Sequence, residues 1–397
     1  MPGRVARWTV VDLFSGAGGA SAGFHAHPDF AVVAAADAQL GKPSSPPGKL
    51  GCNDTYRTNI GISPLEIDLG RSSGDELKEI LRLAEPPTVL IACPPCTGFS
   101  RTNATNHLRD DPRNSLVSHV AEYVKSLRPS IVVMENAREL LMGRFAHHFR
   151  SLKERIEEQG YEVRARTHFL NEFGLPQTRE RALVVAARKP LRVRTLEELW
   201  EGFRIDEKAT HVRRAIWELP PVKAGQTHPD DPMHVSPTFR KSTSLKRLKA
   251  IPRDGGSWRD LTRSKRTRRF MTPVMRRLEE AGKFGSFPDV YGRLWWDRPS
   301  VTIKRECSHV GNGRYAHPEQ DRLCTVREMA ILQGFPADYV FEGSVNNRYR
   351  HIGDAVPPLI SRQLASVCEW VLSGRKPDIE ETILPNTHLS VGDILRS

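Results

Sequence analysis

The chain has 397 residues, 39% of them apolar, and a formal net charge of +12. That length and apolar share allow one large domain or two ordinary ones around a real core. The charge favours a polyanionic partner, most often nucleic acid, and no apolar run reaches the ~18 residues of a membrane span.

The six cysteines are sparse and irregularly spaced, as in a reduced, intracellular chain. No apolar leader is visible at the N-terminus, and no internal repeat is found. Thr9 to Phe14 reads as a short strand. The turn Ser15-Gly16-Ala17-Gly18-Gly19 and a helix from Ala20 follow. Glycines there let backbone approach a ligand, and a helix start offers free N–H groups; a plain strand–helix turn explains the pattern equally well. Asp12 interrupts the apolar strand and is expected to face the ligand. Phe30 to Asp37 reads as a second strand ending in an acid, the usual partner of ribose hydroxyls. Lys42 to Gly51 is a surface loop. Ile62 to Leu69 is a possible third strand with Asp68 at its end.

Val89 to Arg101 reads V-L-I-A-C-P-P-C-T-G-F-S-R. An apolar run over Thr88 to Ala92 fits a buried parallel strand. Pro94 and Pro95 then stop it, because neither can donate a ladder hydrogen bond. Cys96 follows that stiff stop, at the strand end where open α/β sheets bind ligands. Cys93 and Cys96 form a C-x-x-C, but zinc needs about four ligands and the sequence has no second pair. Thr97 to Arg113 is long and polar, the composition of a mobile active-site loop. Ser115 to Leu127 is an amphipathic helix. Ser130 to Met134 is a buried strand running into Glu135-Asn136, and Phe145 to Gln159 is helical. Tyr161 to Phe169 and Arg181 to Ala187 read as strands. Between them Gln177, Arg179 and Arg181 share one face if extended, a set suited to a planar polar ligand and phosphate. A solvated strand face is the alternative.

From Lys189 the alternation weakens. Lys241 to Arg277 holds 13 basic residues, among them Arg263, Lys265, Arg266, Arg268 and Arg269, against only Asp254 and Asp260. Nearly all the net charge therefore sits in one stretch, with Trp258, Phe270, Trp295 and Trp296 in or near it, as on a nucleic-acid surface. A helix over Thr325 to Gln333 precedes Gly334-Phe335-Pro336. Gly353-Asp354-Ala355-Val356-Pro357-Pro358 opens a last helix, and Gly374 to Ser397 reads as a loosely packed tail.

Taken in order, several stretches resemble the DNA (cytosine-5)-methyltransferases, of the bacterial restriction-modification type. They are Asp12-Leu13-Phe14-Ser15-Gly16-Ala17-Gly18-Gly19, Pro94-Pro95-Cys96 with Gly98-Phe99-Ser100, Glu135-Asn136, and Gln177-Thr178-Arg179-Glu180-Arg181. Leu332-Gln333-Gly334-Phe335-Pro336 and Gly353-Asp354-Ala355-Val356-Pro357 complete the set. The resemblance covers roughly residues 8–188 and 320–372. It implies an α/β fold: a Rossmann-like class I S-adenosylmethionine-dependent mixed sheet (1–188 with 323–375), a smaller irregular target-recognition domain (189–322) and a tail (376–397).

The resemblance also implies roles. Cys96 would add to carbon 6 of a flipped-out cytosine, Glu135 would bond ring nitrogen 3, Arg181 would hold the base carbonyl and Arg179 would support the site. Asp12, Phe14, Ser15, Gly16, Gly18, Gly19, Asp37, Asp68, Pro94, Asp354 and Ala355 would bind S-adenosyl-L-methionine, released as S-adenosyl-L-homocysteine. Gln177, Ser100, Arg101 and the basic stretch would meet double-stranded DNA. No metal is implied. The expected protein is a cytoplasmic, nucleoid-associated monomer, with a restriction enzyme at most as a genetic partner. Three positions depart from the family pattern: Asp37 where Glu is commoner, Ala137 after Glu135-Asn136 where Val is commoner, and Asp354 where Asn is usual. Asp354 adds a charge and loses amide donors. It would be tolerated beside a cation, would slow transfer, or would favour a more cationic cofactor analogue. RNA as substrate and DNA binding without chemistry are the further alternatives.

Overall fold

The computed structural model describes residues 6–40, 48–95, 115–239, 241–283 and 289–397. Its organising element is a sheet made of β1 (Trp8–Leu13), β2 (Phe30–Ala36), β3 (Val89–Ala92), β4 (Ile131–Ala137), β5 (Tyr161–Phe169) and, after the two-residue β6 (Gln177–Thr178), β7 (Glu180–Arg188). The order is β2-β1-β3-β4-β7-β5. The first four run parallel, and β7 lies antiparallel between β4 and β5.

The strands are near-continuous apolar runs because both sheet faces are covered. Val10, Ile91, Val133 and Val185 point into one core, and Val11, Leu90, Val132 and Val184 into the other. The second face is closed by α3 (Gly74–Leu81), α4 (Ser115–Leu127) and α6 (His147–Glu158), which follows the short α5 (Glu139–Met142). The first face is closed by α1 (Gly19–His25), beside α2 (Cys52–Ile60), and by the last helix, Pro358–Ser373. That helix crosses α1 where a Cβ on Gly23 would lie 2.1 Å from the Arg362 backbone nitrogen, so the crossing needs glycine.

Most expected elements form within a residue or two of the expected bounds. The strand expected at Ile62 to Leu69 does not. Leu65 makes a single parallel bridge to Ala36. Pro64 cannot donate to a ladder, Glu66 accepts from the Gln39 side chain at 2.8 Å, and Asp68 accepts from the Gly70 N–H at 3.0 Å. Strand β4 continues past Met134 through Glu135 and Asn136, because Leu183, Ala182 and Arg181 of β7 extend its ladder.

After residue 188 the chain first returns to the sheet layers. In α7 (Leu196–Trp200), the Trp200 indole donates to Gln363 at 2.9 Å. Short elements follow: β8 (Phe203–Ile205), α8 (Val212–Ile216), β9 (Thr227–His228), β10 (Asp231–Val235), α9 (Ser242–Lys249), α10 (Lys265–Arg268), α11 (Pro273–Glu280) and β11 (Ser300–Val301). The fully buried Arg293 knits this region together through the carbonyls of Leu248, Ile251, His317 and Gln320 and the Asp321 carboxylate. Helices α12 (Val326–Leu332), α13 (Val345–Asp354) and α14 (Pro358–Ser373) complete the body. The tail is not loose. β12 (Ile394–Arg396) pairs antiparallel with β8, and Leu384 and Leu389 are buried. Its apolar residues are few but spaced to reach the body, which the polar composition masks.

Candidate active site

All four parallel strands deliver residues to one cavity at their carboxyl ends, where open α/β sheets place ligands. From β1 come Phe14, Ser15 and Gly16; from β2, Asp37; from β3, Cys93, Pro94 and Pro95; from β4, Glu135. Arg179 and Arg181, Asp68, Gly353 to Val356, His351 and Arg305 close it. Phe14 has φ +61° and Gly16 φ +52°. A bulky residue in the left-handed region is strained, and here the strain sits on the pocket wall. Gly19 is needed for another reason: a Cβ there would lie 2.3 Å from the Val356 carbonyl, so only glycine lets α1 start against the 355–356 wall.

Asp37 is the second-strand acid. Its carboxylate accepts from the Gly16 N–H at 2.9 Å and the Gln39 N–H at 2.6 Å, with the Cys52 thiol 3.6 Å away. Burial raises its pKa and those bonds oppose the rise. The turn amide of Gly16 and the acid thus fix each other. Asp12 does not line the cavity. It is fully buried beneath α1, where the Ser21 hydroxyl donates to it at 2.6 Å and also meets the Tyr56 hydroxyl at 2.6 Å. Burial pushes its pKa up to about 7, against the Ser21 bond. Its expected place facing the ligand is thus corrected: an acid inside an apolar strand points to whichever face offers a donor, and that donor is Ser21. Gly18 also stays off the wall. It caps α1 at φ +87° with the Tyr339 hydroxyl directly behind it.

At the other end Glu135, Arg179 and Arg181 converge. Arg181 Nε lies 2.8 Å and Arg179 Nη2 3.6 Å from Glu135 Oε1. The first pair is close but not aligned as a hydrogen bond, so that oxygen can still take a donor from a ligand. Arg179 also donates to the carbonyls of Ile303 and Ala355. Asn136 donates to the Pro94 carbonyl at 3.1 Å, and the Glu135 N–H meets the Cys93 sulfur at 3.2 Å. The proline stop is therefore tied to the acid-bearing strand. Burial pushes the Cys93 thiol well up, with Glu135 adding to the rise. Cys96, Ser100 and Arg101 lie outside the described residues; Pro95, directly before Cys96, lines the cavity.

Gln177 does not join the arginine face. It is fully buried and bonds to Leu332 O, Gln333 Oε1 and the Ile303 N–H. The one-residue link between β6 and β7 breaks the extended run, so its expected DNA contact is corrected to a packing role. Among the basic residues, Arg263, Lys265, Arg266, Arg268 and Arg269 are all exposed. Arg263 pairs with Asp260 at 2.7 Å and Arg268 with Glu279 at 2.9 Å. Trp258 and Trp296 are 1% and 3% exposed, so they are core and not stacking surface.

Sequence reasoning missed Arg305 and His351. Arg305 comes from the region without periodicity, and its guanidinium lies 3.2 Å from Asp354. It supplies the cation that an acid at position 354 requires. Asp354 is exposed on the cavity wall, yet surrounding protein raises its pKa to about 6, with Arg305 opposing. His351 lies three residues earlier on α13. His351 Nε2 faces the Leu50 carbonyl, which can only accept, so Nε2 donates there; in the neutral ring Nδ1 then accepts from the Thr55 hydroxyl, which itself accepts from the Glu342 N–H. Burial holds this imidazole neutral, with a pKa of about 4.

An adenosyl group needs an acceptor for ribose hydroxyls, an apolar slot and, for a sulfonium, an anionic neighbour. Asp37, Phe14 with Ile67 and Leu116, and Asp354 meet these needs. Ser15 Oγ is buried with no hydrogen-bond partner among the described residues, an arrangement that suits a bond to a ligand. Among the described residues no cluster suits a metal ion, and no helix is long and apolar enough to cross a membrane.

A mixed sheet with a glycine turn after its first strand, an acid after its second and this cavity beyond defines a nucleoside-binding α/β protein. The C-5 cytosine-specific DNA methylase family matches residues 8–370. The chain is 29% identical over 371 residues to the Type II methylase M.HgiDII of Herpetosiphon aurantiacus, covering 92% of this chain and 96% of that one. It is 30% identical over 359 residues to the Type II methyltransferase M1.HphI of Haemophilus parahaemolyticus, covering 90% and 85%. A putative DNA modification methyltransferase encoded within a prophage of E. coli superposes with TM-score 0.59 at 19% identity, over 92% of this chain and 99% of that one. The Dnmt2 methyltransferase of S. pombe does so with 0.58 at 17%, over 91% and 98%. The chain belongs to the C-5 cytosine-specific DNA methylase family, and as such is a DNA (cytosine-5)-methyltransferase.

Proposed function

We propose that the protein methylates carbon 5 of a cytosine flipped out of a specific duplex DNA sequence, through a transient covalent bond to Cys96. The observation that carries this reading is the convergence of Glu135, Arg179 and Arg181 on one end of a cavity whose wall includes Pro95, the residue before Cys96 in the sequence. Cytosine carbon 5 is a poor nucleophile and lies stacked inside the duplex, so the base must leave the helix. The Cys96 thiolate adds to carbon 6, which makes carbon 5 enamine-like. Protonated Glu135 bonds ring nitrogen 3 and stabilises the added species, while Arg181 holds the base carbonyl. Arg179, fixed by two backbone carbonyls, keeps Glu135 in place. Asp37 accepts the ribose hydroxyls, Phe14 and the Gly16 turn line the adenosyl slot, Asp68 sits near the adenine and Asp354 faces the charged end. Bound S-adenosylmethionine supplies the methyl group. Loss of the carbon 5 proton to a base then expels Cys96 and restores the ring.

The exposed basic residues 263–269 meet DNA phosphates, and residues 189–322 form the region that reads the target. The likeness to Type II methylases supports a restriction-modification setting; action as a monomer is part of the proposal. Incubation with unmethylated duplex DNA and S-adenosylmethionine, then digestion to nucleosides and mass spectrometry, tests the reading. Wild type yields 5-methylcytosine and Cys96→Ser yields almost none. Comparable product from both, or a mass other than a methyl addition, overturns it.

A further inference from the structure

A second cavity adjoins the first. Thr178, Thr302, Lys304, Glu306, Asn312 and Arg314 are among its walls, and among the described residues Arg305 alone lines both cavities. Its placement is enforced by backbone. A Cβ on Gly353 would lie 2.5 Å from Lys304 O and from Arg305 N, so the 304–305 segment crosses directly over the last turn of α13, one residue before Asp354. Ser300–Val301 pairs with Gln177–Thr178, and Glu306 pairs with Arg350 of α13 at 3.1 Å. The segment is thus fastened on both sides of Arg305.

The guanidinium itself is held lightly. Nη1 lies 3.2 Å from Asp354, Nη2 donates to the Leu40 carbonyl at 3.3 Å, and Nε is buried with no hydrogen-bond partner among the described residues. In the first cavity, Arg179 and Arg181 lie against Glu135, 3.6 and 2.8 Å from its Oε1. Arg305 is the cation beside Asp354, while Asp37 takes backbone N–H groups.

We propose that Arg305 couples the two cavities, so that a cationic ligand in the first and a nucleic-acid phosphate in the second strengthen each other's binding. This rests on reading the first cavity as the S-adenosylmethionine site. A cationic ligand beside Asp354 takes over the role of Arg305 and frees the guanidinium for an anion in the second cavity. An anion there draws Arg305 away and leaves Asp354 to attract the cation. By linkage, the factor by which each ligand tightens the other is the same in both directions. A ligand uncharged at the sulfur position draws less on Asp354 and is coupled more weakly.

The test is calorimetric titration of the full chain with sinefungin, which carries an amine where the transferable group would be, and with S-adenosylhomocysteine. Each is titrated with and without a short mixed-sequence duplex. In wild type the duplex tightens sinefungin by about tenfold and S-adenosylhomocysteine less. In Arg305→Gln the duplex no longer changes sinefungin affinity, and Arg305→Lys, which keeps the charge, restores part of the effect. Asp354→Asn loses the preference for sinefungin. Equal tightening in wild type and Arg305→Gln, or no tightening in wild type, overturns the coupling while leaving the cofactor reading standing. If neither adenosyl compound binds wild type, the cofactor reading fails and the coupling with it.

Discussion

Replacing Asp12 with Asn makes a quantitative test of the buried first strand. Asp12 is fully inaccessible, and burial raises its carboxyl from the ordinary 3.8 to about 7. The folded state therefore prefers the protonated acid, and ionising it as pH rises from about 4 to about 7 removes stability. A shift of about three units at 1.36 kcal/mol each is worth about 4 kcal/mol in all. Roughly 2–3 kcal/mol of that falls between pH 5 and pH 8. Asn keeps an acceptor for Ser21 but cannot ionise. Its amide brings donors of its own, and that effect is constant with pH. Urea unfolding of wild type and Asp12→Asn at pH 5 and pH 8 cancels the constant part. Wild type should lose about 2–3 kcal/mol more than the variant over that range. Parallel loss in both proteins would show that Asp12 is ionised throughout, and the account of its burial would be wrong.

Gly19→Ala places a methyl 2.3 Å from the Val356 carbonyl. Overpacking of this kind costs about 1–3 kcal/mol, so thermal melts should drop and S-adenosylhomocysteine should bind more weakly; two unchanged values would refute the contact. Asp354, with a pKa of about 6, should attract a cationic ligand only when ionised. Sinefungin affinity is then expected to fall as pH drops from 7 to 5 in wild type and to stay flat in Asp354→Asn, whereas equal pH dependence would place the titrating group elsewhere. Asp354→Asn should also keep turnover at saturating cofactor. Glu135→Gln removes the proton donor while keeping the shape, and should slow methyl transfer by about 10²–10⁴-fold without weakening S-adenosylhomocysteine; a rate near wild type would remove Glu135 from the chemistry.

The sequence by itself determined the alternating structure of the sheet layers. Apolar runs such as Val89–Ala92 and Ile131–Met134 bury both faces, and the prolines and glycines after them leave the chain little choice but to turn. That made the order of elements legible, and with it the acid after β2, the proline stop before Cys96 and the acid of β4. Tertiary structure alone decided which side chains face the cavity. Asp12 and Gln177 sit in stretches that read as ligand-facing, yet a hydroxyl on α1 and an amide beyond α12 claim them, because a buried polar group goes to the nearest partner that satisfies it. The strand at residues 62–69 was lost to Pro64 at a sheet edge. Arg305 was invisible for the opposite reason. Nothing local marks it, and it meets Asp354 only because a glycine lets two distant backbones cross within contact distance. Periodicity reports burial of one element against its neighbours, while long-range charge pairing depends on how the finished layers are stacked.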